Sequence, residues 1–282
     1  MILSYHPCFE ADRNILCAGR KPDSQDRMAI ESAAAVILPQ GCNPLLYRLA
    51  RNHCPHVFPN YDMRFQYPGK TGQIRLFRET GIAHPETKTY SSVNEFRDAS
   101  AKKDNAGALT YPFVVKFDWG GEGDAVFLVD RAEAFNQALR TAEQHEQSGQ
   151  FGFIVQEYIP HQNCTLRVVV IGRKRIFYWR KQTGSCGFGT SVRHGATIDH
   201  RVSPPVMLAA ESAIVDFCRQ TSINLAGFDI LFSEKKLSVG SIQPLILEIN
   251  YYFGRRGLGG SEHYYEQLTA EIENWINETV CI

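Results

Sequence analysis

A lysine and three glycines stand between two apolar segments near the middle of the chain. The first segment carries Lys116 near its end. The turn into the second segment, 125–129, contains Gly120, Gly121 and Gly123. Glycines let backbone N–H groups wrap phosphate oxygens, and a strand-borne lysine adds a fixed positive charge beside them. The pattern predicts a phosphate clamp, and the alternative is an ordinary β-hairpin whose lysine reaches solvent at its edge.

Three side chains with oxygen donors lie on two further apolar segments. Glu248 and Asn250 are two residues apart, so they project from the same face of one predicted strand. Asp229 lies on the predicted neighbouring strand. Oxygen ligands without Cys or His suit Mg²⁺, which binds through carboxylates together with substrate phosphates. The alternative is polar residues facing solvent on an amphipathic edge, and the apolar residues 245–247 weaken it.

A short connector follows the apolar segment at 153–156. It is formed by Gln156, Glu157, Tyr158 and Ile159. A backbone C=O and an N–H two residues apart could pair with the Watson–Crick edge of adenine while apolar side chains enclose the ring. A plain exit from a strand is the alternative that the sequence leaves open.

Composition narrows the class of protein. The 282 residues hold 30 Lys+Arg and 30 Asp+Glu, a formal net charge of +0, which gives no global attraction for nucleic acid or an anionic membrane. We find no signal-peptide pattern and no apolar run long enough to cross a membrane. The eight cysteines are dispersed without a CxxC pair, which indicates reduced thiols. We therefore expect a cytoplasmic protein with neither nucleic acid nor membrane as a partner.

The elements that must position these residues alternate between strands and helices, with a module boundary near residue 67. For the final helix two alternatives stay open: it pairs subunits in a homo-oligomer, or its apolar face packs in the core. Strands are predicted at 2–5, 33–38, 56–58, 113–117, 125–129, 151–156, 166–171, 175–181, 226–232 and 245–249, and helices at 44–52, 69–78, 131–147, 203–221 and 264–279.

In this order and spacing, the clamp, the connector and the oxygen-ligand strands resemble the ATP-grasp superfamily. Glutathione synthetases, D-alanine ligases and ribosomal-protein glutamate ligases are the most similar members. The resemblance covers residues 66–260. It implies an α/β and α+β fold in which two α+β subdomains grip ATP after a small α/β pre-ATP-grasp domain. The expected domains are 1–67 for the small α/β domain and 68–282 for the ATP-grasp domain, with subdomains at about 85–155 and about 156–282.

The resemblance also implies roles for individual residues. The expected phosphate contacts are Lys70, Lys116 and the mobile loop with Gly120, Gly121 and Gly123; the expected adenine contacts are Gln156, Glu157, Tyr158 and Ile159; the expected metal ligands are Asp229, Glu248 and Asn250; and Arg167 is expected beside the reacting phosphate.

This chain departs from the family pattern at two places. Thr165 stands where relatives carry an acidic ribose contact, so the sugar contact is weaker or comes from Gln162 or Asn163. After Asn250, a segment that begins Tyr251-Tyr252-Phe253 replaces the usual small residues and proline. The family arginines before the large helix are displaced, and the substitutes in this chain are Arg180, Arg193 and His194.

The implied activity is ATP-dependent ligation of a carboxylate to an amine or a thiol through an acyl phosphate, with release of ADP and phosphate. ATP and Mg²⁺ are the expected cofactors, with one or two ions and Mn²⁺ as a substitute. The expected partners are a small-molecule or peptide carboxylate and an amine. Arg255 and Arg256 are predicted to bind the acceptor carboxylate or the tetrahedral oxyanion, and solvent-facing arginines are the alternative. An ATP-grasp kinase and a noncatalytic nucleotide-binding protein are the rival functions.

Overall fold

The computed structural model describes residues 1–101, 110–120, 125–161, 163–182, 189–190, 195–232 and 242–280. The strands are β1 Ile2–Ser4, β2 Arg13–Asn14, β3 Ala35–Ile37, β4 Val57–Phe58, β5 Thr87–Tyr90, β6 Phe113–Phe117, β7 Val126–Val129, β8 Phe153–Glu157, β9 Cys164–Ile171, β10 Lys174–Lys181, β11 Thr197–Asp199, β12 Leu225–Phe232 and β13 Pro244–Asn250. The helices are α1 Ser24–Glu31, α2 Pro44–His53, α3 Asp62–Gln66, α4 Gly69–Thr80, α5 Val93–Ala101, α6 Ala132–Gln147, α7 Pro204–Thr221 and α8 Ser261–Val280.

The elements predicted from apolar periodicity all occur, with ends shifted by a few residues. The sequence analysis missed several short or polar elements: α1, α3, α5, β2, β5 and β11. In α1 the buried residues are Asp26, Ala29 and Ile30, which is too small an apolar face to give a helical period. No helix in the described part of the chain is both long and apolar enough to cross a membrane.

The N-terminal layer is a parallel sheet with the strand order β2-β1-β3-β4. Helix α2 begins at Pro44, and the side chain of Asn43 before it accepts a hydrogen bond from the Leu45 N–H at 2.8 Å. Proline at the first helical position and a capping asparagine both favour a helix start there. The small α/β layer predicted from the sequence is confirmed.

A second sheet is antiparallel, with the order β5-β8-β6-β7, and it carries the predicted phosphate clamp. In β6, Phe113, Val115 and Phe117 enter an apolar cluster that includes Ala138 and Ala142 of α6. Because side chains alternate along a strand, Lys116 is turned to the opposite face. The helix side of the sheet is therefore core, and the other side is available for a ligand.

The third sheet has five strands in the order β11-β10-β9-β12-β13. One face of β12 presents Phe228 and Ile230 to a core cluster that also contains Ile214 and Phe217 of α7. On the other face, Leu225 packs in the cluster that contains the apolar side of α8. The apolar side of α8 is therefore part of the core, as one of the two alternatives predicted.

Asp118, just after β6, connects the clamp sheet to helix α4. Its carboxylate accepts from the Thr71 N–H at 2.7 Å and from the Thr71 hydroxyl at 2.8 Å. Gly69 has a φ of +70°, and a β-carbon there would collide with the same carboxylate. Both groups on Thr71 lie in the first turn of α4, where backbone N–H groups lack helical partners. Asp118 therefore fixes the start of α4, which carries Lys70, against the strand that carries Lys116.

We expect Asp118→Ala to lower the free energy of unfolding by about 1–2 kcal/mol, because α4 loses the carboxylate at its N-terminus. Urea unfolding monitored by circular dichroism measures this. The matched control is Asp130→Ala, which removes an exposed carboxylate that accepts from the adjacent Arg131. Equal effects from the two substitutions would show that Asp118 does not hold α4.

Candidate functional site

A cavity of about 950 Å³ lies between the clamp sheet and the five-stranded sheet. Residues from β6, β7 and β8 line one side, and residues from β9, β10, β12 and β13 line the other. Of the residues predicted from the sequence, those that line it are Lys116, Gln156, Glu157, Tyr158, Ile159, Thr165, Arg167, Arg180, Asp229, Glu248, Asn250, Arg255 and Arg256. Gly121, Gly123, Gln162, Arg193 and His194 lie outside the described residues.

Strand register places Arg167, Asp229 and Glu248 in one row across the five-stranded sheet. Tyr178 pairs with Arg167, Arg167 with Asp229, and Asp229 with Glu248. The register between β12 and β13 shifts just after Asp229, so Leu247 is an extra residue on β13. Such bulges redirect a side chain and are frequent beside functional sites. The predicted convergence of Asp229 and Glu248 is confirmed.

The carboxylate of Asp229 is surrounded by four nitrogen atoms. Arg167 Nε lies 2.6 Å and Arg180 Nη2 lies 2.7 Å from Oδ1. Arg167 Nη2 lies 3.1 Å and Asn250 Nδ2 lies 3.2 Å from Oδ2. A carboxylate offers about four lone-pair positions, so these donors occupy its hydrogen-bonding capacity. In this arrangement Asp229 is first of all the counter-ion of two arginines.

The electrostatic environment keeps this buried pair charged. Burial raises the pKa of Asp229, but the Arg167 and Arg180 guanidinium groups outweigh burial and hold that pKa below its ordinary value. Gly227 makes room for the fork of Arg167, because a β-carbon there would lie 2.9 Å from Arg167 Nη1. A buried arginine and aspartate can remain together only when their geometry and hydrogen bonds offset the loss of hydration.

Glu248 and Asn250 provide the oxygen atoms that face the cavity without a protein donor. Among the described residues, Glu248 has no hydrogen bond or ion pair, although it lies near enough to raise the pKa of Lys116. Because the Asn250 amide N–H₂ is directed at Asp229, its carbonyl oxygen is the group left for a ligand. A carboxylate and an amide oxygen side by side form a donor set that suits Mg²⁺.

No group of three or more His, Cys, Asp and Glu that could hold a metal occurs in the described residues. A magnesium ion at Asp229, Glu248 and Asn250 would therefore take the rest of its ligands from phosphate and water, as this ion commonly does. With phosphate and water as the remaining ligands, the three residues fit the ion. A lone pair of Asp229 becomes available to it only when one of the present hydrogen-bond donors withdraws.

Lys116 is the buried cation on the opposite side of the cavity. It is 7% exposed. Burial lowers the pKa of Lys116 to about 8, Glu248 opposes that shift, and the nearby Lys70 adds to it. Lys70 is also buried, and its Nζ lies 3.5 Å from the Gly120 carbonyl at the start of the glycine turn. Two lysines in mutual repulsion are arranged for an anion rather than for each other.

The connector after β8 combines one buried polar side chain with exposed backbone. Gln156 is 1% exposed, and its side chain donates to the Thr87 hydroxyl at 2.9 Å. The Ile159 side chain packs with Leu231 and Leu245, and we find no partner for its N–H among the described residues. An apolar wall beside an available backbone donor agrees with the predicted purine contact.

Thr165 meets a hydroxyl and an arginine at the position of the missing acidic residue. Its Oγ1 lies 2.5 Å from the Thr190 hydroxyl and 3.3 Å from Arg180 Nη2. Asn163 is exposed, with a φ of 52°. Two hydroxyl groups are thus present at the place where the sequence left the ribose contact open.

The loop after β13 forms the end of the cavity nearest the N-terminal sheet. Its Gly257 lies on the Tyr178 ring, where a β-carbon would collide. The Arg255 guanidinium lies over the rings of Tyr264 and Tyr265, at 5.0 and 4.5 Å from their centroids. Such cation–π contacts hold an arginine in place without neutralising it. Arg255 is thereby presented to the cavity as an available cation.

The sequence analysis did not single out two residues near this end, His6 and Tyr252. His6, after β1, is buried, and burial together with Arg255 lowers its pKa to about 4, so the ring is neutral at pH 7. Tyr252 lines the cavity with 71% of its surface exposed. The sequence noted the aromatic segment that contains Tyr252, but its exposure depends on a loop that has no periodic pattern.

The comparisons with known proteins agree with this geometry. The sequence model of the RimK-like ATP-grasp domain matches residues 69–264, so the chain belongs to the RimK-like ATP-grasp family. A comparison with curated protein sequences gives no match.

Solved structures share the fold at low identity. An N5-carboxyaminoimidazole ribonucleotide synthetase in complex with ADP is 12% identical, with a TM-score of 0.62 over 93% of this chain and 65% of that one. The VanG D-Ala:D-Ser ligase from Enterococcus faecalis is 17% identical, with a TM-score of 0.60 over 86% and 73%. A RimK domain ATP-grasp protein from Sphaerobacter thermophilus is 14% identical, with a TM-score of 0.57 over 97% and 100%. The chain thus spans less than two thirds of the synthetase, and the predicted ATP-grasp fold is confirmed.

We expect Lys116→Met to raise the free energy of unfolding at pH 7 by about 1–3 kcal/mol, because a buried charge is removed. The pKa of Lys116 is about 8 in the folded chain against an ordinary value of 10.5. Between these values the unfolded chain binds more protons, so the wild type regains stability as pH rises and the advantage of the variant shrinks.

Urea unfolding of both proteins at pH 7 and pH 10 measures this difference, and Lys174→Met, at an exposed lysine, is the control. A constant difference between the two pH values would show that Lys116 carries no strained charge.

Proposed function

We propose that this chain is an Mg-ATP-dependent ligase that joins a carboxylate to an amine through an acyl phosphate. The observation that carries the proposal is a single cavity with a buried lysine on one sheet and a free carboxylate and amide oxygen on the other. Nucleotide binding alone requires neither the buried charge of Lys116 nor the pairing of Asp229 with Glu248. Burying the charge of Lys116 lowers the stability of the fold, and such destabilising charges are typical of functional sites. We infer that Lys116 binds phosphate.

The nucleotide would enter with adenine at the connector and phosphates at the lysines. The apolar side chains of Ile159, Leu231 and Leu247 form the wall for the ring. Lys116 and Lys70 would contact the phosphate oxygens, and Thr165 with Thr190 would meet the sugar hydroxyl groups. Magnesium, when bound at Glu248, Asn250 and Asp229, would neutralise charge on the phosphates.

The reaction then needs positioned charge and no covalent bond to the protein. A carboxylate oxygen of the substrate attacks the γ-phosphorus, and the bond from that phosphorus to the bridging oxygen breaks to release ADP. The amine nitrogen next attacks the acyl carbon, its proton is lost, and the carbon–oxygen bond to phosphate breaks. Lys116 and the cavity arginines stabilise the negative charge that develops in both steps.

The end of the cavity nearest the N-terminal sheet would hold the substrates. Arg255 and Arg256 supply cations there, and the exposed ring of Tyr252 adds apolar surface. We therefore propose that the acceptor carries a carboxylate, or passes through an oxyanion, at this end. The names of the structural relatives fit such chemistry, since they include D-Ala:D-Ser and L-amino acid ligases.

The direct experiment is release of ADP and phosphate from Mg-ATP against a panel of amino acids and short peptides, with mass spectrometry of the products. We expect ADP, phosphate and a product whose mass equals condensation of two substrates. A stable phosphorylated product would instead identify an ATP-grasp kinase. Binding of ATP without turnover on any substrate would favour the noncatalytic function.

Glu248→Gln should reduce turnover by about 100-fold or more, because the free carboxylate of the metal site is lost while the shape is kept. Initial rates at several Mg²⁺ concentrations, with circular dichroism to verify the fold, measure this. The control is Glu266→Gln on α8, where the carboxylate is exposed and pairs with His263. Turnover within a few-fold of wild type would remove Glu248 from the metal site.

A further inference from the structure

In the proposed site the Asp229 carboxylate would have to bind a metal ion, but its oxygen atoms already accept hydrogen bonds from two arginines. The structure indicates which arginine would leave. A metal ion needs a lone pair on one of its oxygen atoms. In the structure, two nitrogen atoms lie within 2.7 Å of Oδ1, and two lie within 3.2 Å of Oδ2. Since about four lone-pair positions exist, a donor must leave before Asp229 can bind an ion. Metal binding and the loss of a donor are therefore one coupled event.

Arg167 is not the donor that can leave at low cost. It grips Asp229 with both Nε and Nη2, and it is 6% exposed. Its guanidinium packs so closely against Gly227 that a β-carbon on residue 227 would collide with it. Withdrawing this arginine would break two hydrogen bonds at once and leave its own buried charge without a counter-ion. Arg167 therefore stays with Asp229.

Arg180 makes fewer hydrogen bonds to Asp229 than Arg167 does. It reaches Asp229 with Nη2 alone, and its other contact is Thr165 Oγ1 at 3.3 Å. Its Nε is buried and has no partner among the described residues. The side chain lies on β10 and lines the cavity, where an anion would give it the partner that Nε lacks. Arg180 therefore loses little by leaving Asp229 and gains a full set of hydrogen bonds on an anion.

We propose that Arg180 is an exchange residue: the metal ion takes its place at Asp229 Oδ1, and its guanidinium turns onto the phosphate or carboxylate in the cavity. This inference rests on the metal site of the proposed function. The exchange makes the cavity ready for an anion only when the metal arrives with it. Before that event, Arg180 neutralises Asp229 and relieves its repulsion with Glu248.

The test compares binding of Mn²⁺ alone to wild type, Arg180→Met, Arg256→Met and Glu248→Gln by electron paramagnetic resonance of the free ion. Arg180→Met should bind Mn²⁺ about tenfold more tightly than Arg256→Met, because only Arg180 competes with the ion at Asp229. Arg256→Met is the matched control, since it removes a cavity-lining arginine that makes no contact with Asp229 among the described residues. Glu248→Gln should weaken binding and thereby locate the ion.

The outcomes distinguish failure of the proposed metal site from failure of the exchange at Asp229. If wild-type binding does not depend on Glu248, the proposed metal site is wrong and the exchange is wrong with it. If binding depends on Glu248 but Arg180→Met and Arg256→Met bind Mn²⁺ equally, the metal site stands and the exchange is overturned. Tighter metal binding together with slower turnover in Arg180→Met would support the exchange, because a merely structural role would not move them in opposite directions.

Nuclear magnetic resonance of the arginine Nε–H groups tests the same exchange in the wild-type chain. The signal of Arg180 is assigned by its absence in Arg180→Lys, and that of Arg167 by its absence in Arg167→Lys. On addition of Mg²⁺ with a non-hydrolysable ATP analogue, the Arg180 signal should shift while the Arg167 signal keeps the bonded position. An unchanged Arg180 signal, or departure of both arginines from Asp229, would overturn the proposal.

Discussion

The repulsion between Asp229 and Glu248, directly opposite each other on neighbouring strands, is the constraint on which the site depends. Like charges in that position destabilise a sheet, so the surrounding residues must supply positive charge. Arg167 and Arg180 neutralise one carboxylate completely, and the other remains without a partner among the described residues. The sheet thus holds a pair in which one member is satisfied and the other is available for an ion.

The other elements provide what this pair lacks. The clamp sheet contributes Lys116, and Asp118 fixes the helix with Lys70 beside it, so positive charge meets the carboxylates across the cavity. Burial lowers the pKa of Lys116, and the positive charge of Lys70 adds to this. The loop with Arg255 closes the far end. The buried charges of the cavity destabilise the fold, and the apolar clusters around α6, α7 and α8 hold the sheets in place.

Much of this arrangement could be predicted from the sequence because it follows from periodicity. Alternation along β13 placed Glu248 and Asn250 on one face, and apolar segments located the buried strands. The resemblance to the ATP-grasp superfamily is confirmed by the family match, and it implied roles for Lys70 and the connector. The proposed roles of these residues, and the domain limits at 67 and 68, stay predictions.

What the sequence could not give depends on contacts between distant segments. No pattern within β10 shows that Arg180 reaches across β9 to Asp229, since this requires the register of three strands. The bulge at Leu247 could not be predicted from the sequence either, because it is defined by the pairing of two strands. The short elements β5 and α5 were missed, since few residues and polar composition give no clear period.

Calorimetric titration with a non-hydrolysable ATP analogue, with and without Mg²⁺, measures whether the cavity binds a nucleotide together with the ion. We predict that the analogue binds and that Mg²⁺ tightens binding by at least about tenfold, because phosphate and Glu248 would share the ion. Equal binding with and without Mg²⁺, or no binding at all, would contradict it.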